Sequence, residues 1–304
     1  MRVCGSDLSY TEAGAFGYPE GFIAGHETGA TVVGLGEGVT SLKLGDKVAP
    51  NPNRGCGVCE DCLAGRPYFC PQKEMNMGGF GQLMLSPAIA CVKLPEALAL
   101  DDAALIEPLA VGLMGVEAAG LVRGLNVVVL GTGPIGLSAI YWAKRYGAAK
   151  IIAAARSRRH ENKALTMGAG IFLTTDSKFS DQVGEVLGGA PDIVIDAVGK
   201  PGIFDLACEL VKARGTVSVL GLCQETDEVR LGVPLLKALT LKYVLGASGR
   251  EFRMVAEELA AGNTTPRVMV TDRVTLAELP QKFEDLRKPG HACKVLVSLS
   301  EDAA

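Results

Sequence analysis

The sequence predicts a doubly wound parallel α/β unit joined to a smaller, β-rich unit. Three observations predict it. From Asn126 onward, short apolar runs alternate with helical segments, the pattern of a parallel sheet covered on both faces. The first of those runs leads into a Gly-x-Gly-x-x-Gly turn. The stretch before it is rich in Gly and Pro and carries only short β-type runs. With 304 residues, the chain has room for two domains of ~150 residues each. Hydrophobic residues at 48% and charged residues at 21% support a packed core rather than disorder.

In chain order, the β-type runs of the first unit are Thr31–Leu35, Lys47–Val48 and Gly81–Leu85. A helical pattern spans Asp101–Leu121. Val127–Leu130 is then a strand and Ile135–Tyr146 a helix, followed by the strand Ile151–Ala155 and the helix Arg159–Met167. Ile171–Leu173, Ile193–Ala197, Val217–Leu220 and Tyr243–Leu245 continue the strands, and Glu251–Ala261 is the last helix of that unit. Beyond Pro266, the strand-like Arg267–Thr271, the helical Leu276–Leu286 and the closing strand Lys294–Leu299 read as a return to the first unit. The expected division is therefore residues 1–115, 116–264 and 265–304.

A net charge of −4 excludes a general nucleic-acid binder, which needs a basic face. The N-terminus lacks the basic-then-apolar pattern of a secretory signal, and runs such as Val127–Leu130 are far too short to span a bilayer. The expectation is a soluble, cytoplasmic protein with no membrane partner. Four of the nine cysteines lie within fifteen residues; Cys4, Cys91, Cys208, Cys223 and Cys293 are scattered. That distribution suggests one metal lobe and individual thiols rather than a disulfide scaffold.

Gly131-Thr132-Gly133-Pro134-Ile135-Gly136 follows a strand and opens a helix, the context in which this motif binds a dinucleotide. Gly131 allows the tight turn, Gly133 lets a pyrophosphate approach the backbone, and Gly136 lets helix and strand pack closely. Pro134 and Ile135 start the helix whose N-terminus attracts the anion. An NAD enzyme usually has an acidic residue at the end of the next strand. Here that place is Ala155, followed by Arg156-Ser157-Arg158-Arg159-His160. Guanidiniums pair with a 2′-phosphate, so NADP(H) is expected over NAD(H), with Arg156 the chief contact and Arg159 a second. The bland alternative is a solvated basic helix start.

Cys56-x2-Cys59-x2-Cys62-x7-Cys70 can surround one tetrahedral Zn²⁺. With all four positions filled by protein, such a site is structural. A second set is dispersed: Cys4-Gly5-Ser6-Asp7, Gly25-His26-Glu27 and Glu107-Pro108-Leu109-Ala110. Each is bland alone, since a lone Cys is usually a small core residue.

Taken in order with the cysteine lobe and the glycine loop, these segments resemble the zinc-dependent medium-chain dehydrogenase/reductase family. The Glu-Pro-Leu segment looks like its polyol, threonine and butanediol dehydrogenase branch. The resemblance covers essentially the whole chain. It implies a GroES-like β domain, a Rossmann domain and an active site between them. It also implies a catalytic zinc held by Cys4, His26 and Glu107, and Glu27 beside it as a supporting or exchanging ligand. Asp7 would orient His26 and Ser6 would carry the proton away. The implied reaction is hydride transfer between the nicotinamide and a small alcohol or ketone whose oxygen zinc polarises. A homo-oligomer, dimer or tetramer, is expected by analogy.

The sequence departs from the family in three places. Relatives usually carry a few tens of residues before the first ligand, so a shortened β domain is expected, with Met1-Arg2-Val3 as the interior of a strand. Ser9 stands where many relatives have a proton-accepting His. Gly246-Ala247 stands where polyol dehydrogenases carry an Arg-Tyr pair, which favours less polar alcohols over sugars. The leading expectation is an NADP(H)-dependent zinc alcohol dehydrogenase or ketone reductase. Two others stand beside it: an NAD-dependent polyol or amino-alcohol dehydrogenase, and a truncated, inactive nucleotide-binding relative.

Overall fold

The computed structural model describes residues 1–11, 19–120, 123–288 and 290–299. The chain forms two units, Met1–Ala110 with Gly246–Ala304, and Val111–Leu245.

In the first unit, Arg2 is held on both sides by backbone pairing. It bridges Glu27 on one side and Leu296 on the other, and its N–H donates to Glu27 O at 3.0 Å. Helix α1 (Gly5–Tyr10) follows at once. Strand β1 (Ala30–Thr31) and the buried β2 (Lys47–Pro50) come next, then β3 (Asn53–Arg54), the short α2 (Glu60–Leu63), β4 (Glu74–Met75) and β5 (Cys91–Lys93). β2 pairs antiparallel with β1 and β5, and β3 with β4. Two expected runs differ. Only Thr31 of Thr31–Leu35 is in a strand, and Gly81–Leu85 forms none. Gly81 N–H turns back onto Gly78 O at 3.0 Å, and Leu83 and Leu85 stay exposed. Apolar alternation makes a strand only where a partner buries one face.

The helix expected over Asp101–Leu121 is two helices, α3 (Leu100–Ala103) and α4 (Ile106–Ala118). Leu121 lies outside the described residues. Pro108 explains the break. Its ring would clash with the carbonyl of Ala104 in a continuous helix, and it lacks an N–H, so it is tolerated only in the first turn. That break places Glu107 in the first turn of α4.

The second unit carries six parallel strands: β6 (Asn126–Leu130), β7 (Lys150–Ala155), β8 (Ile171–Thr174), β9 (Ile193–Asp196), β10 (Thr216–Val219) and β11 (Thr240–Tyr243). Their spatial order is β8-β7-β6-β9-β10-β11, which reverses direction between β6 and β9 as a doubly wound fold requires. The connecting helices are α5 (Pro134–Arg145), α6 (Glu161–Met167), α7 (Phe179–Leu187), α8 (Ile203–Leu210) and α9 (Gly232–Leu236). Val128, Leu130, Ile152, Val194 and Val217 pack with Phe179 and Val183 into one core. The last strand is two to three residues earlier than Tyr243–Leu245 suggested.

The sequence reading extends the nucleotide unit to residue 264; the structure ends it at Leu245. Helix α10 (Gly249–Ala260) packs on β5, and Asn51 Nδ2 donates to Ala247 O at 2.8 Å. Gly246, at φ +73°, lies against the Tyr68 ring. The amphipathic pattern of α10 does not say which unit covers it. After a 3-10 turn at Thr265–Met269, where Arg267 was expected to begin a strand, β12 (Val270–Thr275), α11 (Leu279–Leu286) and β13 (Lys294–Ser298) complete the first unit. β12 and β13 pair in parallel, and Val295 and Val297 bury against Met1, Val3 and Leu279.

Candidate metal centre and nucleotide loop

Cys4 caps the start of α1, where Asp7 Oδ2 accepts its N–H at 3.0 Å. That bond fixes Asp7 under the helix, and its side chain is fully buried. His26 follows Gly25, whose φ of +93° sets the turn before the bridge between Glu27 and Arg2. His26 Nδ1 stands 3.4 Å from Asp7 Oδ1, long for a hydrogen bond, and neither atom has another hydrogen-bond partner. A ring nitrogen facing a carboxylate leaves Nε2 as the lone-pair donor.

The ligand atoms of Cys4, His26 and Glu27 all lie within 4.8 Å of one another. Glu107 is not in that cluster, though its charge reaches His26. Burial opposes a proton on His26. The neighbouring Cys4 sulfur, the Asp7 carboxylate and the Glu107 charge outweigh it and raise the ring's pKa well above its ordinary value. The same negative surroundings favour a metal cation in that place. Burial pushes the Glu107 carboxyl up to about 7. A thiolate, an imidazole and carboxylates are donors that suit zinc, and Glu27 Oε2 is a buried oxygen with no hydrogen bond. These residues fit the ion.

Ser6 is half-buried on α1, between Cys4 and Asp7. Ser9 Oγ donates back to Gly5 O at 3.2 Å. Lys294 and Arg2 are residues that the sequence reading missed. Lys294 Nζ pairs with Glu27 Oε1 inside the unit, and both side chains are essentially inaccessible to solvent. Arg2 is buried beside them, with Nη2 donating to Asp101 O at 2.7 Å. A lysine opening an otherwise apolar final strand was the available signal for the first.

In the lobe, the sulfurs of Cys56, Cys59, Cys62 and Cys70 also lie within 4.8 Å of one another. Two zinc–sulfur bonds of about 2.3 Å at a tetrahedral angle span about 3.8 Å, so the set fits one ion. Backbone N–H groups already aim at sulfur: Cys59 N to Cys56 Sγ at 3.3 Å, and Cys56 N to Cys70 Sγ at 3.4 Å. N–H donors of Val58 and Cys59 bring Cys56 down to about 6, toward the thiolate that a metal takes. All nine cysteines are free thiols.

The glycine loop joins β6 to α5. Gly131 has φ +94°, and a Cβ on Gly136 would stand 1.9 Å from Gly131 O. A Cβ on Gly133 would instead point into open space, leaving room where a phosphate would approach. Pro134 is the first residue of α5, with Ile135 next to it, so the helix N-terminus faces out of this loop. His160 Nδ1 lies 2.8 Å from Thr132 O and ties the loop to the segment after β7. Ala155 ends β7. Of the arginines beyond it, Arg158 is committed. It grips Glu161 with Nε and Nη2 at 2.7 and 2.5 Å and lies 5.7 Å over the Phe172 ring. Arg156 and Arg159 are exposed.

This architecture sets a candidate metal-donor cluster in one unit and a doubly wound, dinucleotide-type fold in the other. Residues 1–96 match the alcohol dehydrogenase GroES-like domain, and residues 134–261 the zinc-binding dehydrogenase model. The sorbitol dehydrogenase of Bombyx mori is 32% identical over 313 residues, spanning 98% of this chain and 88% of the relative. Two solved structures superpose well. An Escherichia coli CFT073 alcohol dehydrogenase complexed with NADH gives a TM-score of 0.86 at 26% identity, covering 98% of this chain and 89% of the other. A Sinorhizobium meliloti 1021 protein bound to NADP gives 0.84 at 28%, with the same coverage. The chain belongs to the zinc-dependent medium-chain dehydrogenase/reductase family. Among the described residues, no helix is long and apolar enough to cross a membrane.

Proposed function

We propose that this family member is an NADP(H)-dependent zinc alcohol dehydrogenase acting between a secondary alcohol and its ketone. The observation that carries the reading is the Cys4–His26–Glu27 donor cluster, in which His26 and Glu27 are buried. Cys4 and His26 would hold the catalytic ion with a carboxylate from Glu107 or Glu27. Zinc, when bound, supplies a Lewis acid that polarises the substrate oxygen. Asp7 keeps the His26 ring oriented. Ser6, half-buried on the same helix turn, would relay the hydroxyl proton. Gly131, Gly133 and Gly136 with Pro134 and Ile135 would seat the pyrophosphate, and Arg156 with Arg159 the 2′-phosphate. The four-cysteine lobe would hold a second, structural zinc.

A polyol substrate is the second reading, favoured by the sorbitol dehydrogenase relative. A homo-oligomer has support within the second unit: β11 is an edge strand exposed along its length, Tyr243 at its end included, and Leu231, Leu235 and Leu236 in the segment before it are solvent-facing. Edge strands of this kind need cover.

The test offers zinc-loaded protein a panel of secondary alcohols and polyols with each cofactor in turn. Turnover of secondary alcohols with NADP above all others is the expected outcome. Turnover of polyols with NAD alone would replace this reading by the second. No turnover by a protein holding two zinc ions per chain would refute both.

A further inference from the structure

We propose that the cleft between the four-cysteine lobe and helix α10 binds a small phosphate monoester. Every residue that lines it belongs to the first unit, so it is separate from the glycine loop and from Arg156.

The cations of the lining point to an anion. The cleft has a volume of about 290 Å³, at the small end of the range for ligand sites. Arg54 reaches it from β3, and Arg250 and Arg253 from the start of α10. Among the described residues, no aspartate or glutamate lines it. Three guanidiniums thus face one cleft in a chain whose net charge is −4. Two of them stand three residues apart, at the helix end where a cation opposes the dipole.

Carboxylates outside the cleft pair with two of the three. Arg54 donates to Glu74 Oε2 at 2.8 Å, and that pair is largely open to solvent, where an ion pair is weak. Arg250 Nη1 donates to Glu251 Oε1 at 2.8 Å. Arg253 forms no ion pair among the described residues. Its guanidinium folds back over the helix start, since a Cβ on Gly249 would stand 3.4 Å from Nη1. The side chains, rather than the helix end, supply the attraction, because Ser248 Oγ already accepts the Arg250 N–H at 3.1 Å.

The rest of the lining sets the class of ligand. Asn51 is buried and locked, with Nδ2 donating to Ala247 O at 2.8 Å and Oδ1 accepting the Asn53 N–H at 2.9 Å. Pro67, Ile89 and Val92 add apolar surface that inorganic phosphate would leave uncovered and the carbon part of an ester would cover. A phosphate monoester carries about two negative charges at neutral pH, and its oxygens match the guanidinium fork.

The experiment titrates zinc-loaded full-length protein, saturated with NADPH, with phenyl phosphate in a calorimeter. This probe has no hydroxyl group to oxidise. It should bind with a Kd below about 1 mM, more tightly than inorganic phosphate or malonate. Arg253→Ala and Arg54→Ala should each weaken it about tenfold at unchanged zinc content. No binding up to about 10 mM would overturn the proposal, as would wild-type affinity in both variants. Tighter binding of malonate would make this a carboxylate site and overturn the phosphate assignment. Loss of zinc from Arg253→Ala at wild-type probe affinity would show that the arginine only balances the thiolates, and would overturn it too. If probe and zinc are lost together, Arg253→Lys decides, because lysine keeps the charge without the fork. Weaker probe binding at full zinc content supports the site, and unchanged affinity overturns it.

Discussion

Arg156 is the residue on which the proposed NADP(H) preference rests. Ala155 presents no carboxylate to repel a 2′-phosphate, and Arg158 is spent on Glu161 and the Phe172 ring. The exposed cation next to the strand end is therefore Arg156. A charge-assisted hydrogen bond contributes ~1.5–3 kcal/mol, so Arg156→Ala should weaken NADP binding by roughly ten- to a hundredfold. NAD binding should barely change, because NAD has no phosphate there. Dissociation constants of both cofactors for both proteins check this. Equal weakening of the two would make Arg156 a plain surface charge. Residues of this kind were legible because the glycine loop sets a ruler: counting on from it locates the strand end. The commitment of Arg158 was not legible, because it depends on where Phe172 of the next strand sits.

At the scale of elements, the four-cysteine lobe has little core of its own. Val58, Leu63 and Phe69 are exposed, and its short segments β3, α2 and β4 hold few buried apolar groups. A lobe of this sort gains its order from the metal. Cys59→Ser should remove about one zinc per chain and lower thermal stability, which metal analysis and a melting curve would show together. Unchanged zinc content in that variant would end the assignment. The spacing of these cysteines was fully legible, because all four ligands are local in sequence. The helix around Glu107 was only half legible. Its periodicity suggested one helix, and the steric demand of Pro108 divided it.

At the scale of the whole molecule, the six-stranded sheet ends in β11, whose backbone edge and side chains are both open. Leu235 and Leu236 are 78% and 88% exposed on the neighbouring helix α9, more than an isolated surface leucine explains. A second copy of the chain across this edge is the expected cover. Sedimentation should give at least twice the mass of one chain, and Leu235→Glu with Leu236→Glu should shift it toward the monomer. A wild-type monomer at micromolar concentration would count against an oligomer.

By itself the sequence made the doubly wound unit, the glycine loop and the spacing of the four-cysteine lobe legible. Each of these rests on local spacing or on a strand period, which survive without knowledge of what packs where. Tertiary structure alone decided the rest. It brought Glu27, not Glu107, into the tight donor cluster, and it returned Gly249–Ala260 to the first unit. It also carried Lys294 across 267 residues of sequence to Glu27. No periodicity records such a contact, because a buried ion pair is set by which strands become neighbours rather than by the residues beside it in the chain.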